Sequence, residues 1–265
     1  MNTLHKSDVE AAIPCHPWLD RMILLDEVDS TNLYAKRLAH DGAPEGTAVI
    51  AARQSAGRGR LGRTFVSAEG GLYMSVILRP QQPPEKLRHL TAAAAVAAMR
   101  SIEESCGLKT QIKWMNDLLC GGKKLCGILS ETSFCGAQPD FVVIGVGVNA
   151  NQTVFPPEIA DLATSIRLQT GRQAELGALA GNLLHCLYAL SLTHQTHRES
   201  WLRRYREACV TVGRDVRLIC GDEIRPAHAD GIGDSGELLV TFPDGTRQAV
   251  FSGEASVRGL SGYGE

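Results

Sequence analysis

The sequence predicts an α/β fold followed by a small SH3-like β-barrel. Two changes of texture along its 265 residues carry that reading. Up to about residue 211, apolar strand-like runs alternate with helical stretches. Beyond Val212, five short strand candidates crowd into roughly 50 residues, separated by Asp-Ser-Gly and Pro-Asp-Gly turns. The predicted organisation is an N-terminal arm over 1–24, a main α/β domain over 25–211 and a barrel over 212–265.

In chain order, residues 1–22 show no clear period and are expected to be irregular. Ser30-Thr31-Asn32 precedes a helical stretch, LYAKRLAHDG, which Gly42 caps. TAVIAAR (47–53) and GLYMSVILR (71–79) read as strands, the second stopped by Pro80. Alanine-rich 85–106 is a strong helix ended by Gly107. Short β segments follow at 110–114, 124–132 and 140–149, with a turn at Gly121-Gly122. Pro156-Pro157 opens a connection read as polar, and helical patterns cover about 173–194 and 197–209. VRLIC, EIRPAHADGI, ELLVTF, RQAVF and ASVRG are the barrel strands.

Composition bounds the function. At 44% hydrophobic and 21% charged residues the chain can bury a core, which excludes wholesale disorder. A net charge of −2 speaks against a protein that coats nucleic acid or anionic membrane. No apolar run is expected to approach the ~20 residues of a bilayer span, and the N-terminus lacks the apolar core of a secretory signal. A cytoplasmic location is the expectation. The eight cysteines form no C-x-x-C pair, so reduced structural thiols are expected rather than metal sites or disulfides. His194 and His197 have no carboxylate or thiol at a helpful offset and read as surface helix residues.

Three clusters could carry chemistry. Gly57-Arg58-Gly59-Arg60-Leu61-Gly62-Arg63 formally satisfies G-x-G-x-x-G, but Thr64-Phe65-Val66-Ser67 and Gly70-Gly71 follow where a dinucleotide fold needs a helix. What remains is a loop whose glycines free backbone N–H groups and whose arginines offer forked donors to a phosphate or carboxylate. Lys113-Trp114-Met115-Asn116-Asp117 and Lys123-Lys124-Leu125-Cys126-Gly127-Ile128 place lysines at the ends of strands, where an ammonium can stabilise charge developing at phosphorus or an acyl carbon. Gly145-Val146-Gly147-Val148-Asn149 puts glycines inside an apolar strand, a sign of close approach by a ligand or by another backbone.

In this order and spacing, Ser30-Thr31-Asn32, Gln54 with GRGRLGR, KWMND, KKLCGIL, GVGVN and the terminal Gly253-Glu254-Ala255-Ser256-Val257-Arg258 resemble a biotin protein ligase, over roughly residues 25–260. The combination is specific although no single piece is. Two positions depart from the family pattern: Met115 stands where K-W-P-N-D has proline, and Phe65 where a tryptophan often lies against adenine. Only about 25 residues precede the matched region, too few for the DNA-binding domain of repressor-type relatives, so DNA is not an expected partner.

The resemblance implies a mixed-sheet catalytic domain of the biotin/lipoyl ligase type. It also implies a two-step reaction: biotin and Mg-ATP give biotinyl-5′-AMP, then a lysine of a biotin carboxyl carrier protein takes the biotinyl group. Lys124 and Arg60 would be the catalytic residues. Ser30, Thr31, Asn32, Gln54, Gly57, Arg58, Gly59, Arg60, Lys124 and Gly127 would bind biotin. Arg60, Arg63, Phe65, Asn116, Asp117, Lys124 and Asn149 would meet ATP, with Asp117 reaching Mg2+ through water. Glu254 and Arg258 would fold back towards nucleotide or acceptor, and relatives occur both as monomers and as dimers paired through sheet edges. A lipoate- or octanoate-type ligase on the same fold is the nearest rival, and those sequences lack the GRGR loop. A non-catalytic nucleic-acid-binding module is a more distant one, disfavoured by the charge balance and the missing interleaved aromatics.

Overall fold

A computed structural model describes residues 4–220, 223–251 and 256–259. Its elements run α1 (Lys6–Ala12), β1 (Met22–Val28), α2 (Thr31–His40), β2 (Ala48–Gln54), β3 (Leu72–Leu78), α3 (Leu90–Cys106), β4 (Gln111–Lys113), β5 (Asp117–Cys120), β6 (Lys123–Cys135), β7 (Gln138–Val148), α4 (Ile166–Thr170), α5 (Leu176–Thr193), α6 (Arg198–Ala208), then β8 (Asp215–Cys220), β9 (Glu223–Ile232), β10 (Leu238–Thr241), β11 (Arg247–Val250) and β12 (Ser256–Gly259). The first seven strands form one mixed sheet in the order β1-β2-β3-β7-β6-β5-β4, with β1 and β2 parallel and the other neighbours antiparallel.

Strand periodicity sorts the two faces of this sheet, because successive side chains point to opposite sides. Leu72, Met74, Val76 and Leu78 of β3 and Val142, Ile144, Val146 and Val148 of β7 face the main core, where α3 and α5 lie. Ile77, Phe141 and Val143 face the other way and are covered by Ala35 and Ala39 of α2. Along that second face β7 and β6 then turn to glycine: Ser75 pairs with Gly145, Tyr73 with Gly147, and Gly147 with Gly127 of β6. Where α2 ends and the glycines begin, the face is left open. The cavity lies there.

Four expectations need correction. The N-terminal arm is not irregular: Lys6–Ala12 is a helix lying against α5, and a Cβ at Gly181 would come within 2.9 Å of Ala12. Only a notch of small residues permits that approach. The helix expected from 85 starts at Leu90, after a 3-10 turn at Pro84–Lys86, and gains its burial from alanines packed against the sheet. The C-terminal strands form an antiparallel SH3-like sheet in the order β11-β10-β9-β8-β12, and no ladder joins β11 to β12 among the described residues. It is an open sheet, not a closed barrel. Finally, α5 is long and apolar enough by composition to span a membrane, but half of it is buried, with Leu179, Leu183, Leu187 and Leu190 in the core. Helix α2 forms as expected, and Gly42, just past its C-cap Asp41, takes the positive φ of +89° that glycine supplies without strain.

The second sheet is tied to the strand-end cluster of the first. Trp114 donates its indole N–H to the Gly236 carbonyl at 2.9 Å, and from α6 the buried Tyr205 hydroxyl holds the same cluster by donating to the Met115 carbonyl at 2.9 Å. Val257 of β12 reaches the cavity itself.

Candidate active site

The cavity has a volume of ≈ 300 Å³ and runs from the N-terminus of α2, across the glycine face, to the segment 155–163. Of the residues expected from sequence, Ser30, Thr31, Asn32, Gln54, Arg58, Gly59, Arg60, Arg63, Phe65, Asn116, Asp117, Lys124, Gly127 and Asn149 all line it. Gly57 lies behind the wall instead. A Cβ there would collide with the Phe65 carbonyl and Ser67 Oγ, so its part is to let the loop fold back on itself. Glu254, and the side chain of Arg258, lie outside the described residues.

One end of the cavity is polar and uncharged. Gln54, at the end of β2, accepts from the Thr31 N–H at 2.8 Å and donates to Ser67 Oγ at 2.8 Å, and Ser67 in turn donates to the Phe65 carbonyl. The Gln54 amide is thereby fixed in orientation. Ser30, Thr31 and Asn32 are almost fully buried, so every donor and acceptor they carry must be matched by protein or by ligand.

The centre is charged. Lys124, at the start of β6, sets its Nζ 2.7 Å from Asp117 Oδ1 of the neighbouring strand and 5.3 Å from the centre of the Phe65 ring. Arg60 extends from the loop to Asn116, with Nη1 3.3 Å from Oδ1. Burial pulls the Arg60 pKa down from its ordinary value, while the Asp117 carboxylate opposes that shift. A guanidinium still keeps its charge at neutral pH. Among the described residues Asp117 is the only acid lining the cavity, against Arg58, Arg60, Arg63, Lys113 and Lys124. This excess of positive charge in a partly desolvated space favours an anion.

The floor is made by Gly127 and Gly147, opposite one another in the β6–β7 register. A Cβ on Gly147 would lie 2.7 Å from Phe65 Cε1, and one on Gly127 would lie 2.9 Å from Phe65 Cε2. The phenyl ring therefore packs against bare backbone, and Tyr73 meets it edge-on, 6.4 Å between centroids. The glycines in the strand interior do mark a close approach, with Phe65 as the group that approaches. The arginine segment is more ordered than its composition suggests. The Gly59 N–H donates to the Arg63 carbonyl at 2.7 Å, that of Phe65 to Gly57 at 2.9 Å, and a short 3-10 turn at Arg60–Gly62 makes the tip.

The far end is apolar. Phe155, Ile159, Leu162 and Ala163 line it, although the segment after residue 150 read as a polar connection. It is stitched to the sheet by Lys124 N–H to the Leu162 carbonyl, 2.8 Å, and by Asn149 Nδ2 to the Thr164 carbonyl, 3.0 Å. Asn149 thus positions this wall. Sequence reasoning also passed over Tyr73, Ser75 and Glu131, which look like ordinary strand residues. Their signal was parity: they share a sheet face with Gly145 and Gly147.

Residues 24–149 match the biotin/lipoate A/B protein ligase family. The chain is 36% identical over 249 residues to the bifunctional ligase/repressor BirA of Bacillus subtilis, covering 92% of this chain and 77% of that protein. It is 31% identical over 241 residues to the biotin–[acetyl-CoA-carboxylase] ligase of Paracoccus denitrificans, covering 87% of this chain and 98% of the relative. The biotin protein ligase from Aquifex aeolicus, solved with biotin and ATP, superposes with a TM-score of 0.77 at 30% identity, over 90% of this chain and 98% of that one. Sequence and architecture agree, and the chain belongs to the biotin protein ligase family.

Proposed function

We propose that this biotin ligase activates biotin as biotinyl-5′-AMP and passes the biotinyl group to one lysine of a biotin carboxyl carrier protein. In the first step a biotin carboxylate oxygen attacks the α-phosphorus of ATP. A new P–O bond forms, the bond to the β-phosphate breaks, and pyrophosphate leaves. In the second step the acceptor amine attacks the acyl carbon, the amide forms, and AMP departs.

The observation that carries this reading is the placing of Lys124 and Arg60 together midway along the cavity, between a neutral polar end and an apolar one. A carboxylate approaching a polyphosphate brings like charges together, and fixed cations aimed at the meeting point offset that repulsion. Lys124 bridges the carboxylate and the α-phosphate. Ser30, Thr31, Gln54 and backbone groups of Arg58 and Gly127 hold the fused rings of biotin. Asn116, Arg63 and the wall set by Asn149 take the nucleotide, and Arg60 closes over the adenylate. Phe65 separates the two substrates' slots from the glycine floor. Asn32 completes the biotin end: both hydrogens of its Nδ2 are used on Leu129 and Glu131, and its Oδ1, which accepts from Ser75, keeps a second lone pair for the ligand.

Magnesium enters with ATP as part of the substrate. Among the described residues no group of three or more metal-ligating side chains is gathered, and the one cavity carboxylate, Asp117, already holds Lys124. Phosphate oxygens and water would supply most of the ion's six ligands, as is usual for Mg2+.

Isotope exchange of pyrophosphate into ATP tests the first step. Exchange should depend on biotin and stay at background with lipoate or octanoate. Incorporation of label into an apo biotin carrier domain tests the second. Exchange driven by lipoate or octanoate instead would replace this reading with its nearest rival.

A further inference from the structure

Lys124 stands on the wrong face of β6 for its place in the sequence. Side chains alternate along a strand, so Lys124, Cys126 and Ile128 should point the same way. Cys126 and Ile128 are buried in the main core. Lys124 is not. Its Nζ meets Asp117 and lies over the Phe65 ring, and a Cβ on Gly127 would come within 3.2 Å of its Cε. The lysine therefore shares the cavity face with Gly127. Regular alternation would have driven its ammonium into apolar surroundings, where burying an unpaired charge is prohibitive.

The register of β5 against β6 shows where the face changes. Leu118 pairs with Cys126, yet the next residue, Leu119, pairs with Lys124, so Leu125 is an extra residue on β6. Leu125 and Cys126 are consecutive and both lie in the core, which an unbroken strand would not allow. A bulge of this kind re-aims the side chain beside it. One extra residue thus moves Lys124 from the core to the cavity, onto the face of Asp117, two positions before Leu119 on β5.

A bulge interrupts the ladder, and here a separate segment takes up the interrupted groups. Cys126 opposite Val148 is the first rung between β6 and β7. Before it, the place of β7 beside β6 is filled by residues 162–164, with Ala163 in a parallel bridge to Lys124. The Lys124 N–H donates to the Leu162 carbonyl at 2.8 Å, and the Lys124 carbonyl accepts from the Thr164 N–H at 2.9 Å. Both backbone groups of the lysine are held by this one segment. Asn149, the buried residue that follows β7, fastens it in turn. The Asn149 carbonyl accepts from the Ile166 N–H at 3.0 Å, and Asn149 Nδ2 donates to the Thr164 carbonyl at 3.0 Å.

We infer that segment 162–164, fastened by Asn149, is the positioning element of Lys124: it holds the bulge that turns the ammonium out of the core and towards the meeting point of the substrates. The inference rests on the proposed adenylation, because it takes Lys124 to act at that point. It goes further by making Asn149 and Thr164 positioning residues, whose effect on the rate of attack runs through the backbone of Lys124.

Kinetics separates this role from simple contact with the nucleotide. A side chain that only held ATP would, when cut back, raise the KM for ATP and leave the maximal rate unchanged. In Asn149→Ala the Thr164 carbonyl loses its amide partner, and the segment is free to drift with Lys124. Misplacing a reacting group by about 1 Å can cost about 10²-fold. Biotin-dependent pyrophosphate exchange at saturating substrates should therefore fall about tenfold or more, with the KM for ATP within about threefold of wild type. A second measurement asks whether the loss runs through Lys124. In a Lys124→Met background the ammonium is already gone, so adding Asn149→Ala should cost about twofold or less.

A loss of the same size in both backgrounds would overturn the inference. A direct nucleotide contact and a general loosening of the fold both act whether or not residue 124 is lysine. A raised KM for ATP with an unchanged maximal rate would overturn it too. Should Asn149→Ala fail to fold, amide hydrogen exchange on the wild type decides. The Lys124 and Thr164 amides should be as protected as that of Ile128, and fast exchange at both would show that the segment does not hold the lysine. A wild type with no biotin-dependent exchange would overturn the proposed function and this inference with it, whereas the outcomes in the variants bear on the inference alone.

Discussion

The two ends of the arginine segment's neighbourhood are built differently. At the α2 end, Thr31, Gln54, Ser67, Ser75 and Asn32 are joined to one another and to strands β2, β3 and β6 by hydrogen bonds, mostly between buried groups. At the loop tip, Leu61 is 59% exposed and left-handed, with φ +55°, and the backbone is held by the loop's own short bonds. The first region has its geometry before a ligand arrives. The second has its cations pointed inward, and its backbone rests on little else. The difference matches the order of the chemistry: an uncharged ring system needs fixed partners, whereas a reactive anion needs a cover that closes after it forms.

Removing the central cation should have the largest effect. Lys124→Met takes away the charge at the meeting point and leaves Asp117 without its 2.7 Å partner. Biotin-dependent pyrophosphate exchange should fall by about 10²-fold or more, the usual loss on removing a preorganised charge stabiliser. Near-normal exchange would remove Lys124 from the mechanism and leave the fixed end doing more than is claimed.

Arg60→Gly sharpens the contrast, since it should weaken retention more than synthesis. Lys124 and Arg58 remain to support attack, while the cover loses its inward charge. Biotinyl-AMP should escape about 10- to 150-fold faster, as for one charge-assisted hydrogen bond of roughly 1.5–3 kcal/mol. The readout is label on albumin in a reaction with no carrier protein. A raised KM for ATP with unchanged leakage would make Arg60 a steering residue instead.

Gly147→Ala probes the floor the two regions share. Its Cβ, 2.7 Å from Phe65, must push the ring towards the cavity. A cost of about 1–2 kcal/mol, or roughly 5- to 30-fold in biotin affinity, is expected for overpacking of this kind. Unchanged affinity would mean that Phe65 moves freely and belongs with the loop.

Acid should act on neither region. His89, buried at the start of α3, donates Nε2–H to the His194 carbonyl at 2.8 Å, and burial pushes its pKa down from 6.5 to about 4. A histidine depressed in the folded state is neutral there and protonates in the unfolded chain. Its contribution is therefore complete above pH 6.5 and is lost as pH falls towards 4. Between pH 7 and 5 that loss is on the order of 2 kcal/mol. Thermal unfolding of wild type against His89→Gln over this range should show the pH slope shrinking in the variant, with no selective opening of the loop.

Much of the site could be read along the chain because its parts are local. Gly57–Arg63, Lys113–Asp117, Lys124–Gly127 and Gly145–Asn149 each state their chemistry within seven residues or fewer. The rest depends on residues far apart. Helix α1 needs the notch at Gly177 and Gly181, more than 160 residues on, before its own short sequence has a reason to be helical. The apolar wall at 155–163 looks like a loop until hydrogen bonds to Lys124 and Asn149 fold it over the sheet. Ser75 and Glu131 become interpretable only once the register sets Ser75 opposite Gly145 and Glu131 opposite Val143, on the face α2 leaves partly bare.

The claim that one end is preformed and the other is ordered by its ligand can be measured directly by amide hydrogen exchange, with and without a non-hydrolysable biotinyl-AMP analogue. Backbone amides of Thr31, Ile128 and Asn149 should be protected in both states, while those of Gly59 to Arg63 should exchange quickly in the free protein and slow by about tenfold or more when the analogue is bound. A loop already as protected as the strands without ligand, or protection gained at Thr31 and Ile128 but not in the loop, would contradict the account.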